Sequence, residues 1–392
     1  MAINYKDIPG ATDSIVAEII SAFTDEAYTQ AKDITGTGIV TPNPEIYADG
    51  EGFVGQARWH KPIDANINVA SLTDASEGNA STYEDELLNY VKTVRTVGMK
   101  NINIKNIITQ QDRLAKMGRD LAEAISKDHM SSLMGILKGI AISEALVGAG
   151  ANGLGGQSFD NDPNNAHYGF YVDLGSNKMI STASAANQGA QRAEAFLEAI
   201  GKAWKDYEPE YAYLVTSPEM MASLRSANLV DQDRITEGNV EFDTIFNGKF
   251  RLIRTRASAQ LSATELTNIN AGDGVNIAGT KVSYIMLPGS INYADVTIPE
   301  PVGIDRNEGA HKGTGTTNIW YRWGYVYAPA GYDWIGSSKQ FASVEDYSKI
   351  KNTSAGTFDT IANVAAPAGY TGTWKSVTSS ALTKRILPVF HS

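Results

Sequence analysis

Residues 109–147, TQQDRLAKMGRDLAEAISKDHMSSLMGILKGIAISEALV, form the longest regular apolar pattern in the chain. Leu114, Met117, Leu121, Ile125, Met130, Leu133, Leu137 and Ile140 recur along them at helical spacing, which predicts one continuous amphipathic helix. At the usual rise per residue it approaches about 55–60 Å. A helix of that length exceeds what a single small domain needs and reads as a spine. His129, on the same helix, reads as a partly buried packing residue. The helix stops in Gly148-Ala149-Gly150-Ala151-Asn152-Gly153, and a polar surface excursion continues to about Asn187.

Upstream of the spine, Phe53 to Val69 reads as a strand with Ile63, Ala65, Ile67 and Val69 on one face. The β-branched run Val91-Lys92-Thr93-Val94-Arg95-Thr96-Val97 answers it. Between them Ser71 to Glu86 is too polar to enter a core of its own chain, so 53–105 predicts a long two-stranded arm with an acidic tip. A two-stranded hairpin is marginal alone, and an arm of this length is expected to lie on another chain. Its basic residues Arg58, His60, Lys61, Lys92, Arg95, Lys100 and Lys105 leave two readings open, a solvated hairpin or a basic shaft on an acidic neighbour. Further upstream, a short amphipathic helix over Ala11–Gln30 precedes the Gly/Thr/Pro tract Thr35–Pro44.

Downstream, a helix over Ala190–Tyr207, a strand at Tyr211–Thr216, a helix opened by Ser217-Pro218-Glu219 and strands at Phe250–Arg254 and Val282–Leu287 predict an α+β unit spanning roughly 190–300. Asn318 to Ala328 alternates so that Tyr321, Trp323, Tyr325 and Tyr327 share one face. That face reads as strand packing under a helix, against the alternative of a stacking platform for sugars or bases.

Composition narrows the function classes. The 392 residues hold 33 Lys plus Arg against 44 Asp plus Glu and no Cys, a net charge of −11. Zero Cys removes disulfides, thiolate metal sites and Cys nucleophiles, and the acidic balance opposes a tight sequence-independent grip on nucleic acid. No run of about 18 apolar residues occurs and the first residues lack the pattern of a signal peptide, which predicts synthesis in the cytoplasm. Gly148, Gly150 and Gly153 match a dinucleotide fingerprint but follow a helix instead of a strand. Asp160, Asp162 and Asn164 open like a calcium loop but lack its Gly and closing Glu. The five histidines, His60, His129, His167, His311 and His391, stand too far apart for a zinc pair or a triad. No catalytic residue, cofactor or metal site is predicted.

The order of parts, with Tyr327-Ala328-Pro329-Ala330-Gly331-Tyr332-Asp333-Trp334 and the ending Trp374-Lys375 through Lys384-Arg385-Ile386-Leu387-Pro388-Val389, resembles the major capsid proteins of tailed bacteriophages with the Hong Kong 97-like capsid fold. The resemblance implies an α+β chain with an N-arm at 1–50, an extended E-loop hairpin at 51–107, and a peripheral domain at 108–190 and 301–350 with spine helix and insertion. An axial domain at 191–300 and a C-terminal segment at 351–392 returning to the body complete it. It further implies a structural protein, not an enzyme, whose copies form hexamers and pentamers of an icosahedral shell around double-stranded DNA, without sequence-specific binding. The implied partners are other copies of itself, a separate scaffolding protein, a portal protein and a decoration protein, and the implied location is the virion after assembly in the host bacterial cytoplasm. Within the arm, Arg58, Trp59, Lys61, Lys92 and Arg95 are the expected inter-subunit contacts. An encapsulin-type compartment shell is the alternative within that fold, and a phage adhesin or tail structural protein stands further off, since adhesins read as many short strands.

Overall fold

The computed structural model describes residues 37–43, 46, 52–60, 85–102, 113–148, 172–173, 209–226, 230–231, 235–237, 240–254, 259–271, 281–307, 309, 315–364, 369–377 and 385–391. The expected helices over 11–30 and 190–207, the arm beyond His60 up to 84, and most of the 148–187 excursion lie outside them.

The spine is a helix from Arg113 to Gly148, about 54 Å long. Its apolar periodicity gives a stripe only at the start, where Leu121 and Ile125 are buried. From Met130 to Leu146 burial spreads well beyond one stripe: Leu133, Met134, Ile136, Leu137, Ile140, Ala141, Ile142, Ala145 and Leu146 are all buried, and Ser131 and Lys138 are half-buried. A helix with so wide an apolar surface runs inside a core. Small residues at i, i+4 and i+8 open a groove on it. A Cβ at Gly135 would sit 2.8 Å from the Val344 carbonyl oxygen, and one at Gly139 would overlap the Tyr347 carbonyl. Ser143 Oγ accepts from the Trp374 amide at 3.3 Å. The turn Asp346–Ser348 and the short strands Tyr370–Gly372 and Trp374–Ser376 fill that groove, with Trp334, Tyr347 and Trp374 clustered over it.

Two larger sheets flank the spine. The first runs in the order Val40–Pro42, Ile291–Asp295, Thr316–Pro329, Asp85–Ile102, Val54–His60, and Val302–Asn307 also pairs with Thr316–Pro329. Its hub is the aromatic strand, which pairs antiparallel with the arm strand from Val326↔Lys92 to Thr316↔Ile102. The second sheet runs Val172–Asp173, Ile386–His391, Lys281–Met286, Ala212–Thr216, Phe250–Arg254, Thr244–Ile245. Ser217 caps the helix Pro218–Ser226, accepting from the Met220 amide at 3.2 Å, as the Ser-Pro-Glu signature predicts. A second N-cap had an unread sequence signature: Ser262 and Glu265 form a reciprocal capping box on Ala263–Ala271, and Glu265 also pairs with Lys138 of the spine at 2.8 Å.

Sheet membership corrects the sequence reading in three places. Asp85 and Glu86, expected in the polar tip, pair as strand residues with His60 and Trp59, because a ladder is made by backbone groups whatever the side-chain polarity. Residues 92–102, expected in the free arm, belong to the body sheet. Ile291–Asp295, expected with the axial unit, joins the first sheet, whereas the C-terminal Ile386–His391 enters the second. The architecture is α+β, as expected. Among the described residues no helix is long and apolar enough to cross a membrane.

Candidate assembly interface

The candidate site is the arm and the place where it leaves the body. Val54–His60 and Asp85–Val91 pair antiparallel from Val54↔Val91 to His60↔Asp85. Beyond Lys92 the aromatic strand no longer follows, so the ribbon continues with two strands. Leu88, Tyr90 and Val91 pack on the body, whereas Leu87 is 58% exposed and Arg58 directly opposite it is exposed too. Trp59 faces Glu86 in the register, and Lys61 lies outside the described residues.

The other two expected contact residues are spent inside the chain. Lys92 is buried, and its carbonyl accepts from the Ala342 amide at 3.0 Å. Arg95 donates through Nε to Asp128 Oδ1 at 3.2 Å and through Nη1 to the Ala342 carbonyl at 2.7 Å. Strand alternation explains the latter: residues 91, 93 and 95 turn toward the spine helix, and a cation there needs an acid.

Asp128 is that acid. Its Oδ2 accepts from Trp323 Nε1 at 3.1 Å and from the Tyr325 hydroxyl at 2.8 Å. Ser132 Oγ lies 2.7 Å from the same hydroxyl, and His129 Nδ1 lies 2.8 Å from the Tyr327 hydroxyl. Tyr325 and Tyr327 are fully buried between spine and sheet, while Tyr321 and Trp323 stack over Leu121 and Ile125. Burial pushes the Tyr293, Tyr325 and Tyr327 hydroxyls well above their ordinary value, so they stay protonated donors. Burial pulls His129 below its ordinary value, against the opposing pull of Asp128 and Asp295. The aromatic face is therefore the cement of the helix–sheet seam, and the platform reading fails for want of an open face. Asp128 went unread, yet it had a signal: Leu121, Ile125, Asp128 and Ser132 continue one helical stripe, and a buried acid on a stripe demands partners.

At the root of the arm, Asn89 donates its backbone amide to Asp333 Oδ1 at 2.6 Å and its side-chain Nδ2 to the same oxygen at 2.9 Å. Gln56 Nε2 donates to Asn89 Oδ1 at 3.1 Å. The Tyr90 ring lies over Gly55, where any Cβ would strike it. Phe341, itself 41% exposed, packs edge-on against Phe53 with ring centroids 4.9 Å apart. Among the described residues no three His, Asp or Glu side chains gather to hold a metal ion.

No protein-family model and no curated protein matches this chain. Solved structures similar to it include the capsid of Ralstonia phage GP4, 11% identical over 77% of this chain and 88% of that one, with a TM-score of 0.47. The head structure of Helicobacter pylori bacteriophage KHP40 is 8% identical over 90% of this chain and 87% of that one, with a TM-score of 0.45. A chain of Mycobacterium phage Che8 is 13% identical over 74% and 85%, with a TM-score of 0.41.

Proposed function

We propose that this chain is a major capsid protein of a tailed bacteriophage, a structural subunit and not an enzyme. Its copies form hexamers and pentamers that close into an icosahedral shell around double-stranded DNA. The observation that carries this reading is the ribbon 54–60/85–91, packed on the body through Leu88, Tyr90 and Val91 but with Leu87 and Arg58 exposed toward its far end. Two strands alone do not bury enough surface to be stable, so a neighbouring copy completes them. The order of parts supports the same reading, since the arm strand, the spine, the second-sheet strands of 212–286 and then the aromatic strand follow each other along the chain in the order the resemblance implies.

In this assignment the spine and first sheet form the peripheral body, the second sheet forms the axial one, and Arg58, Trp59 and Lys61 contact a neighbour. Lys92 and Arg95 serve the root instead. A separate scaffolding protein, a portal protein and a decoration protein are the further partners, and the protein resides in the virion. The test is electron microscopy with light scattering on the protein expressed alone and with a candidate scaffolding protein. Closed shells, tubes or capsomer-sized rings are expected. A clean monomer in both conditions overturns the proposal.

A further inference from the structure

The aromatic strand pairs with the arm strand only as far as Val326↔Lys92, yet it keeps pairing with Ile291–Asp295 as far as Pro329. From Lys92 toward the tip, one edge of the arm strand therefore loses its ladder. The backbone amides of that edge need another acceptor, because an unmet backbone donor that is partly withdrawn from water is costly. At Asn89 the acceptor is a carboxylate from far along the chain, Asp333.

Asp333 is held on a rigid mount. Tyr332 and Trp334 on either side of it are each 3% exposed, and the segment pairs with Trp374–Ser376, with Asp333 opposite Lys375. Gly331, at φ +84°, makes the left-handed turn that brings the chain back from Pro329 to this position. The carboxylate takes two bonds from Asn89, and Asn89 passes the constraint on to Gln56 of the other arm strand. Both strands are thereby tied to one anchored acid, at the point where they leave the sheet. Hydrogen bonds to an ionised acceptor are about twice as strong as neutral ones.

We infer that Asp333 is a positioning residue that fixes the direction in which the arm leaves the body, through the relay Asp333–Asn89–Gln56, and that regular assembly depends on that direction. The assembly half rests on the capsid reading; the mechanical half does not. Tyr90 and Val91 still pack on the body without the acid, but the ribbon from Asn89 toward the tip loses its polar tie and swings more widely, and neighbouring copies meet it at a range of angles.

Three variants test this. Asp333→Ala removes the acceptor, Asp333→Asn keeps an oxygen that accepts both bonds, and Asn89→Ala cuts the relay while leaving the backbone bond. Hydrogen exchange on the unassembled protein is expected to quicken about tenfold at the Asn89 amide in Asp333→Ala and to stay near wild type in Asp333→Asn. Microscopy of the assembled proteins is expected to give shells of one size from wild type and Asp333→Asn, mixed or open particles from Asp333→Ala, and a milder mixture from Asn89→Ala. Unchanged exchange in Asp333→Ala overturns the catch. Uniform normal shells from both alanine variants overturn its role in assembly even where exchange quickens. If wild type itself forms no shells, the capsid reading and the assembly half fall together, and the exchange comparison still decides the catch.

Discussion

Single atoms set the limits at two points of the spine. Gly139 lies where the Tyr347 carbonyl rests on the helix, and Trp374 Cδ1 would be 2.9 Å from an added Cβ. Neither neighbour is a flexible tip, so Gly139→Ala is expected to destabilise by about 3 kcal/mol or more, at the upper end of overpacking costs, seen as a lower urea midpoint. Gly356, whose Cβ direction is open, has no such contact, although its φ of +66° favours glycine for another reason. Tyr325→Phe deletes the hydroxyl shared by Asp128 and Ser132 and is expected to cost about 1–3 kcal/mol by the same measurement, because Asp128 keeps Arg95 and Trp323 but Ser132 Oγ loses this partner. Tyr347 is a counterpart on the other side of the seam: its hydroxyl bonds Thr93, and burial pushes its pKa up to about 12.

At the scale of the element, the seam between spine helix and aromatic strand is where side-chain chemistry meets stability. Leu121 is 3% exposed over Tyr321 and Trp323, so Leu121→Asp buries an unpaired charge and is expected to abolish soluble expression. Soluble, folded protein from that variant would show the seam to be open to water. His129 predicts a pH dependence. Its folded pKa lies below the ordinary 6.5 because burial disfavours the cation, so the unfolded chain takes up the proton first. The stability it allows is whole above about pH 6.5 and is lost as pH falls through that value toward the folded pKa. Thermal melts from about pH 8 down to about pH 5 are expected to fall more steeply for wild type than for His129→Gln, and parallel curves would refute this. The groups facing it are Tyr293, Tyr325 and Tyr327 across the sheet, with Asp128 and Asp295 as the nearby acids.

For the whole molecule, the arm separates folding from assembly. The ladder 54–60/85–91 and the core of the body are built from residues outside 61–84. Deleting residues 70–83, which spares Asp85 and Glu86 in their pairing, is expected to leave thermal unfolding unchanged and to abolish closed shells. Normal shells from that deletion, seen by microscopy, would remove the arm from the assembly interface. The two sheets meet across the spine, where Lys138 and Glu265 form a half-sheltered ion pair at 2.8 Å between the helix and the unit of the second sheet. The core is continuous across both sheets: Leu133, Ile140, Tyr284 and Tyr325 belong to one apolar cluster.

Local periodicity and local chemistry determined much of this by sequence alone. Spacing of Leu121, Ile125, Leu133 and Ile140 gave the spine, alternation gave the face of Tyr321 to Tyr327, and Ser217-Pro218 marked a helix start that the structure keeps. Those signals act over a few residues, where backbone geometry alone decides which side chains share a face. Tertiary structure decided what each face and edge meets. Strand Asp85–Ile102 divides its length between arm and body, Ile291–Asp295 joins the first sheet instead of the unit expected for it, Ile386–His391 pairs into the second, and Lys92 and Arg95 turn inward. Asp333 reaches Asn89 across a separation of 244 residues, and no pattern near either residue announces the other. An alternating strand specifies its apolar face but leaves both edges able to pair, and only closure of the whole chain around the spine chooses the partner.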